Sequence, residues 1–144
     1  MPKRKPKETL YTNTDFDLKS RSPFDSLSKE LEATCCVLHY THGEDGNWHS
    51  IVESTLSDQE SLADKTAEMD IRFILDALAR LSPKSKSELD SCFMKEFNIG
   101  FDCWDTWSYV HSLPNEMIRG IAELSCSIAV TLYPMRNPDG VHRI

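Results

Sequence analysis

The chain has 144 residues, 40% hydrophobic and 27% charged, with a formal net charge of −7. That is room for one domain of ordinary size, able to bury a core without disulfides or a metal. No apolar run approaches the ~20 residues of a membrane span, no glycine-rich phosphate loop occurs, and basic residues 1–7 have no apolar stretch behind them as a secretory signal would; a membrane protein, a collagen-like chain, a P-loop nucleotidase and a Rossmann dehydrogenase are excluded.

Residues 1–9 read as a disordered basic leader, since Pro2 and Pro6 oppose helix there. Residues 10–18 alternate as a strand, with Thr14, Phe16 and Leu18 on one face. Ser22 and Pro23 read as a helix start, Asp25 meeting the positive end of the dipole, and Phe24, Leu27 and Leu31 form the inward face. Residues 34–40, almost all apolar or β-prone, suit a strand buried on both faces. The turn Gly43-Glu44-Asp45-Gly46 leads into a returning strand at 47–54 with Trp48, Ile51 and Val52, so the two strands form a hairpin. Ser57-Asp58-Gln59-Glu60 matches a capping box, opening a helical region to about Leu81 with the stripe Ala67, Ile71, Ile74, Leu75 and Leu78. Pro83 ends that helix. A second capping box, Ser85 to Glu88, opens a shorter one carrying Leu89, Cys92 and Phe93. Residues 98–105 form a strand with Ile99, Phe101 and Cys103 on one face and Gly100, Asp102 and Trp104 on the other. Pro114 begins a helix with Met117, Ile118, Ile121 and Leu124 inward. Residues 127–133 are the last strand, and 135–144 a tail.

The order is β-α-β-β-α-α-β-α-β, and segments 10–42 and 98–133 each repeat strand–helix–strand, as in a split βαβ plan. The expected fold is α+β, a single domain over 10–134 built on a five-stranded mixed or antiparallel sheet with helices mainly on one face.

Charge is uneven. Four of the 16 basic residues lie in the first seven positions, so residues 8–144 hold 12 basic and 23 acidic groups, a charge of −11. Such a field repels nucleic-acid phosphates and attracts a basic partner, although acidity also simply keeps a protein in solution. The five cysteines, Cys35, Cys36, Cys92, Cys103 and Cys126, are odd in number and lack a C-x-x-C pair. They read as small buried hydrophobes in a reducing cytoplasm.

Phe97-Asn98-Ile99-Gly100-Phe101, Ile121-Ala122-Glu123-Leu124 and the ending Ile128-Ala129-Val130-Thr131-Leu132-Tyr133 resemble the bacterial family called Domain of Unknown Function 4279. Phe16-Asp17-Leu18 followed by Phe24-Asp25-Ser26-Leu27 is similar to the opening of related bacterial proteins. The likeness spans most of 14–134 and rests on strand edges and helix starts. It implies a bacterial cytoplasmic α+β domain and supplies no catalytic residues.

Candidate chemistry is sparse. A hairpin brings His39 or His42 near His49, but strand positions three apart point to opposite faces, and zinc needs three or four convergent ligands. Cys103 with His111 would form a nucleophile and base, yet Asp102 and Asp105 flank the thiol and oppose its ionisation. Asp102 and Asp105, as paired carboxylates, fall on opposite faces of a strand. Asp15 and Asp17 share a face and read as a solvated edge. The most distinctive composition is 102–109, where Asp102, Trp104, Asp105, Trp107 and Tyr109 interleave aromatics with acids, the residue types of a protein-binding hot spot; Trp104 and Tyr109 equally suit packing of the sheet against a helix.

The sequence therefore predicts a non-enzymatic protein-binding module, in its concrete form an immunity or antitoxin-like inhibitor of a basic toxin, with no metal, no cofactor, and no nucleic-acid or membrane partner. The alternatives are a small-molecule-binding domain or small enzyme with a pocket between sheet and helices, and an oligomerisation or scaffold domain whose exposed edge strand pairs with a copy of itself.

Overall fold

The computed structural model describes residues 8–58, 64–104 and 108–134. Its elements follow the expected order: β1 (Leu10–Ser20), α1 (Asp25–Thr34), β2 (Cys36–His42), β3 (Trp48–Glu53), α2 (Ala67–Ala79), α3 (Pro83–Ser91), β4 (Met94–Asp102), α4 (Asn115–Glu123) and β5 (Ser127–Tyr133), with a short 3-10 turn at Thr55–Asp58. The five strands form one mixed sheet in the order β2-β3-β1-β4-β5. All neighbours run antiparallel except β4 and β5, which are parallel and joined through α4. Of the leader expected over 1–9 only Glu8 and Thr9 are described, and Thr9 is buried. The tail at 135–144 lies outside the described residues. No helix among the described residues is long and apolar enough to cross a membrane.

Alternation along β1 decides which face becomes core. Thr14, Phe16, Leu18 and Ser20 are buried, while Asn13, Asp15, Asp17 and Lys19 on the other face are only half-buried. Phe16 pairs across the sheet with Val52 and Phe97, and its ring lies 4.7 Å from that of Phe97. Onto this floor pack Phe24, Leu27 and Leu31 of the α1 region, Ile71, Ile74 and Leu78 of α2, and Met117 and Ile121 of α4. The space between sheet and helices is thus filled with side chains, and the opposite face of the sheet carries no helix among the described residues. Burial of these large apolar groups, at about 1.5–3 kcal/mol each, is the main driving force for the fold.

Helix starts depart from the predicted ones because other donors and acceptors serve them better. α2 begins after Thr66, whose hydroxyl accepts from the Met69 amide, rather than at Ser57; Ser57 and Asp58 lie in the 3-10 turn, and Gln59 and Glu60 lie outside the described residues. α3 begins at Pro83, with Ser82 as its cap accepting from the Ser85 amide, so Pro83 opens a helix as well as closing the one before it. Glu88 is then free of the expected capping box and accepts from the Leu27 amide of α1 at 2.8 Å. In return Glu30 of α1 accepts from the amide and hydroxyl of Ser82 and the hydroxyl of Ser85. Each helix thus satisfies donors at the other's N-terminus, and the Ser82 hydroxyl and amide hold the Glu30 carboxyl below its usual range. α1 itself starts at Asp25, after the Ser22-Pro23 pair; the Phe24 amide donates to the Tyr40 hydroxyl, which donates to Asp25.

Three further expectations shift. β2 is not buried on both faces, because it is an edge strand, and Leu38 at its bulge is exposed. Phe93, expected on the second short helix, lies beyond the end of α3 and is exposed, and Ile118 is exposed rather than inward because it falls off the Met117–Ile121 stripe. β4 starts at Met94, four residues before the expected position, pairing first with Lys19. Gly100 is needed for close approach: a Cβ there would lie 3.2 Å from Asn13 Oδ1 and from the Tyr133 ring.

Candidate functional site

The face of the sheet that carries no helix among the described residues is built from Asn13, Asp15, Asp17 and Lys19 of β1 and their cross-strand neighbours. Register places Asp15 directly opposite Glu53 of β3, and Asp17 directly opposite Glu96 of β4. Like charges placed opposite each other on paired strands destabilise a sheet, and here two such pairs sit one step apart along β1. The Asn13 side-chain amide bridges the first pair, donating to Asp15 at 3.2 Å and to Glu53 at 2.9 Å. Beside the second lies a hollow of about 240 Å³, lined among others by Asp17, Lys19, His39, His49, Met94 and Glu96.

The electrostatics record the crowding. Partial burial, then a hydrogen bond with Glu53 and its charge, carry the Asp15 carboxyl up to about 7. Asp17 is raised by burial and by Glu96, against the opposing pull of His39 and Lys19. Asp17 Oδ1 is buried with no hydrogen-bond partner among the described residues. A raised carboxylic acid beside a second carboxylate is also what general acid–base chemistry uses. Here the two pairs lie on the face of the sheet that carries no helix among the described residues, the second beside the hollow.

The predicted binding segment is divided by the fold. Asp102 ends β4 next to Tyr133 of β5, and strand alternation puts it on the same face as Asp15 and Asp17. Trp104 is half-buried, and Tyr109 is exposed with its ring 5.2 Å from that of Phe101, whose side chain belongs to the helix-covered core. Asp105 and Trp107 lie outside the described residues. His111 sets Nε2 2.7 Å from Glu68, with its ring tilted against Phe101 and stacked 6.4 Å from Tyr109, so its partners are Glu68 and these rings rather than Cys103.

His39 and His49 share one hollow, while His42 turns to Trp48 on the other face. His42 stacks on Trp48 and bonds the Gly46 carbonyl, while His49 bonds Asp45 at 3.0 Å and borders the hollow with His39. The His49 bond holds Asp45 down to about 2. Among the described residues no group of three or more His, Cys, Asp or Glu is placed to hold a metal ion. All five cysteines are free thiols. Burial pushes Cys92 and Cys126 up to about 11 and raises Cys35, which removes these three from nucleophilic chemistry near neutrality.

One charged cluster was not anticipated. Asp70, in the first turn of α2, is only 1% exposed. It accepts from the hydroxyls of Tyr11 and Ser54 and pairs with Lys65 at 3.2 Å. Tyr11 reaches it because a bulge between Tyr11 and Asn13 turns that side chain toward the helices. Burial and then the Asp70 bond hold the Tyr11 hydroxyl well above its usual range. Every partner is satisfied, so the cluster ties α2 to β1 and to the end of β3. The acidic first turn was the one sequence signal for it.

Compared with known proteins, the chain matches no family model, and neither a curated protein nor a solved structure matches it at significance. What the open face can do follows from its own chemistry.

Proposed function

We propose that the protein is a non-enzymatic binding module that captures a basic protein partner on the open face of its sheet, as an immunity or antitoxin-like inhibitor would occlude a basic toxin. The observation that supports this reading is the two pairs of directly opposed carboxylates, Asp15–Glu53 and Asp17–Glu96. An arginine or lysine side chain laid between them would replace repulsion by charge-assisted hydrogen bonds. Strained electrostatics of this kind concentrate at functional sites. Asp102 extends the acidic row toward β5, and the net charge of −7 would speed encounter with a cation. Occlusion needs no cofactor and no reacting group. Five free thiols fit a reducing compartment such as a bacterial cytoplasm.

The test is capture from the source cell's lysate at low and moderate salt, with wild-type protein beside an Asp15→Asn, Asp17→Asn, Glu96→Gln variant. A basic protein held by the wild type, released by salt and not held by the variant is the expected result. Because a cation favours the ionised acids, the same partner should bind more tightly at pH 8 than at pH 6. A partner held equally by both proteins, or no basic partner at either salt, would overturn the reading.

A further inference from the structure

The two edges of the sheet differ in how they are guarded. β2 carries a bulge between Val37 and His39, a device that discourages pairing with another chain. β5 has none. Its ladder with β4 runs unbroken from Ser127 to Tyr133, and its sequence, SIAVTLY, holds no charge, no proline and no glycine. No strand among the described residues covers its outer side.

Backbone direction along β5 follows from one bond. The Cys103 amide donates to the Tyr133 carbonyl at 2.8 Å, so Tyr133 directs its polar backbone groups at β4. Alternation then turns those of Ser127, Ala129 and Thr131 the same way. Ile128, Val130 and Leu132 therefore point N–H and C=O away from the sheet. Their side chains, 39%, 58% and 61% exposed, share the face on which the helices lie.

We propose that β5 is a self-association edge, pairing antiparallel with β5 of a second copy about a two-fold axis through Val130. The strand is self-complementary in that register. Val130 faces Val130, and Ile128 faces Leu132 from either side. These are the residues whose backbone groups are turned outward, so all of them fall at hydrogen-bonded positions, giving about six interchain bonds. The same pairing sets the three exposed apolar side chains of one copy against those of the other, forming one stripe. No charge of either acidic chain is desolvated within the strand, and an isologous contact closes at two copies. Two five-stranded sheets become one of ten strands, and the acidic faces lie side by side. A single strand pair is at the small end of stable interfaces, so the affinity belongs in the micromolar range.

The experiment is sedimentation velocity of the full chain across about 1 to 300 µM, bracketing that affinity, beside Val130→Lys and, on the other edge, Leu38→Lys. Wild type and Leu38→Lys should shift from one chain mass toward two as concentration rises, while Val130→Lys stays at one. Hydrogen exchange supplies an independent readout: the Ile128, Val130 and Leu132 amides have no strand partner among the described residues, so their protection should appear only at the higher concentrations. A wild type that stays monomeric throughout, a dimer that Val130→Lys leaves intact, or growth past two copies would overturn the proposal.

Discussion

Asp15 makes stability depend on pH in an unusual direction. Its carboxyl is carried up to about 7 in the folded protein, against about 3.9 in an unfolded chain. Between those values the native state keeps a proton that the unfolded state has released. The penalty is absent below about pH 4, grows as pH rises, and is complete once pH passes the folded value. Asp45 acts oppositely: its folded value is lowered to about 2, so its contribution is present above the unfolded value and lost as pH falls. Stability should therefore peak near about pH 4 and decline toward pH 8. Three units would convert to about 4 kcal/mol at most, but Asp15 is half-exposed, and solvent screening reduces this to about 1–2 kcal/mol. Asp15→Asn keeps the shape and the Asn13 neighbour while removing the repulsion from Glu53. Urea unfolding followed by tryptophan fluorescence should find it level with wild type at pH 4 and more stable by about 1 kcal/mol at pH 8. A wild type equally stable at both values, or an Asn variant weaker at pH 8, would show that Asp15 and Glu53 do not oppose each other in the folded chain.

The buried cluster makes the contrary prediction. Asp70→Ala strands Lys65 and the hydroxyls of Tyr11 and Ser54, and should cost about 3–5 kcal/mol in the same urea assay; a loss below 1 kcal/mol would mean that water replaces the carboxylate. At the end of α4, Ser125 adopts φ 56° while the Ser125 and Cys126 amides close the last turn onto Ala122 and Ile121. Ser125→Gly should raise stability by about 0.5–1 kcal/mol, measured as a higher thermal midpoint, because glycine takes the left-handed position without a Cβ clash.

The fold was legible wherever a local pattern carried it. Alternation in 10–18, the Gly43–Gly46 turn and the Ile71–Leu78 stripe name a strand, a hairpin and a helix through short-range geometry, and together they yield the order of elements and the one-sided sheet. Helix starts were less legible because their polar groups are satisfied from far away. Glu88 matched the last position of a capping box, yet its carboxylate serves Leu27, 61 positions earlier. A capping box records only that an acid stands where it can reach; which amide it takes is settled by how α1 and α3 pack. β2 shows the same limit from the other side: an apolar run of 34–40 reads as a central strand, but the position of a strand within a sheet is a property of the whole topology.

The acidic face is a sharper case. Asp15 and Asp17 alternate on one side of a strand, and by themselves they are an ordinary solvated edge. Their chemistry arises from the residues that the sheet order brings opposite them, Glu53 from β3 and Glu96 from β4. Because β1 occupies the centre of the sheet, its carboxylates are flanked on both sides, and desolvation adds to repulsion. The aromatic segment at 102–109 stood out by composition, whereas the fold sends Asp102 to the open face and sets Tyr109 against Phe101 on the other. Composition marks which groups are available; register decides which of them meet. A sheet centre that sets two pairs of carboxylates against each other gives up stability that Asn or Thr at Asp15 and Asp17 would restore, and under the proposed function a cationic side chain of the partner would recover it on binding.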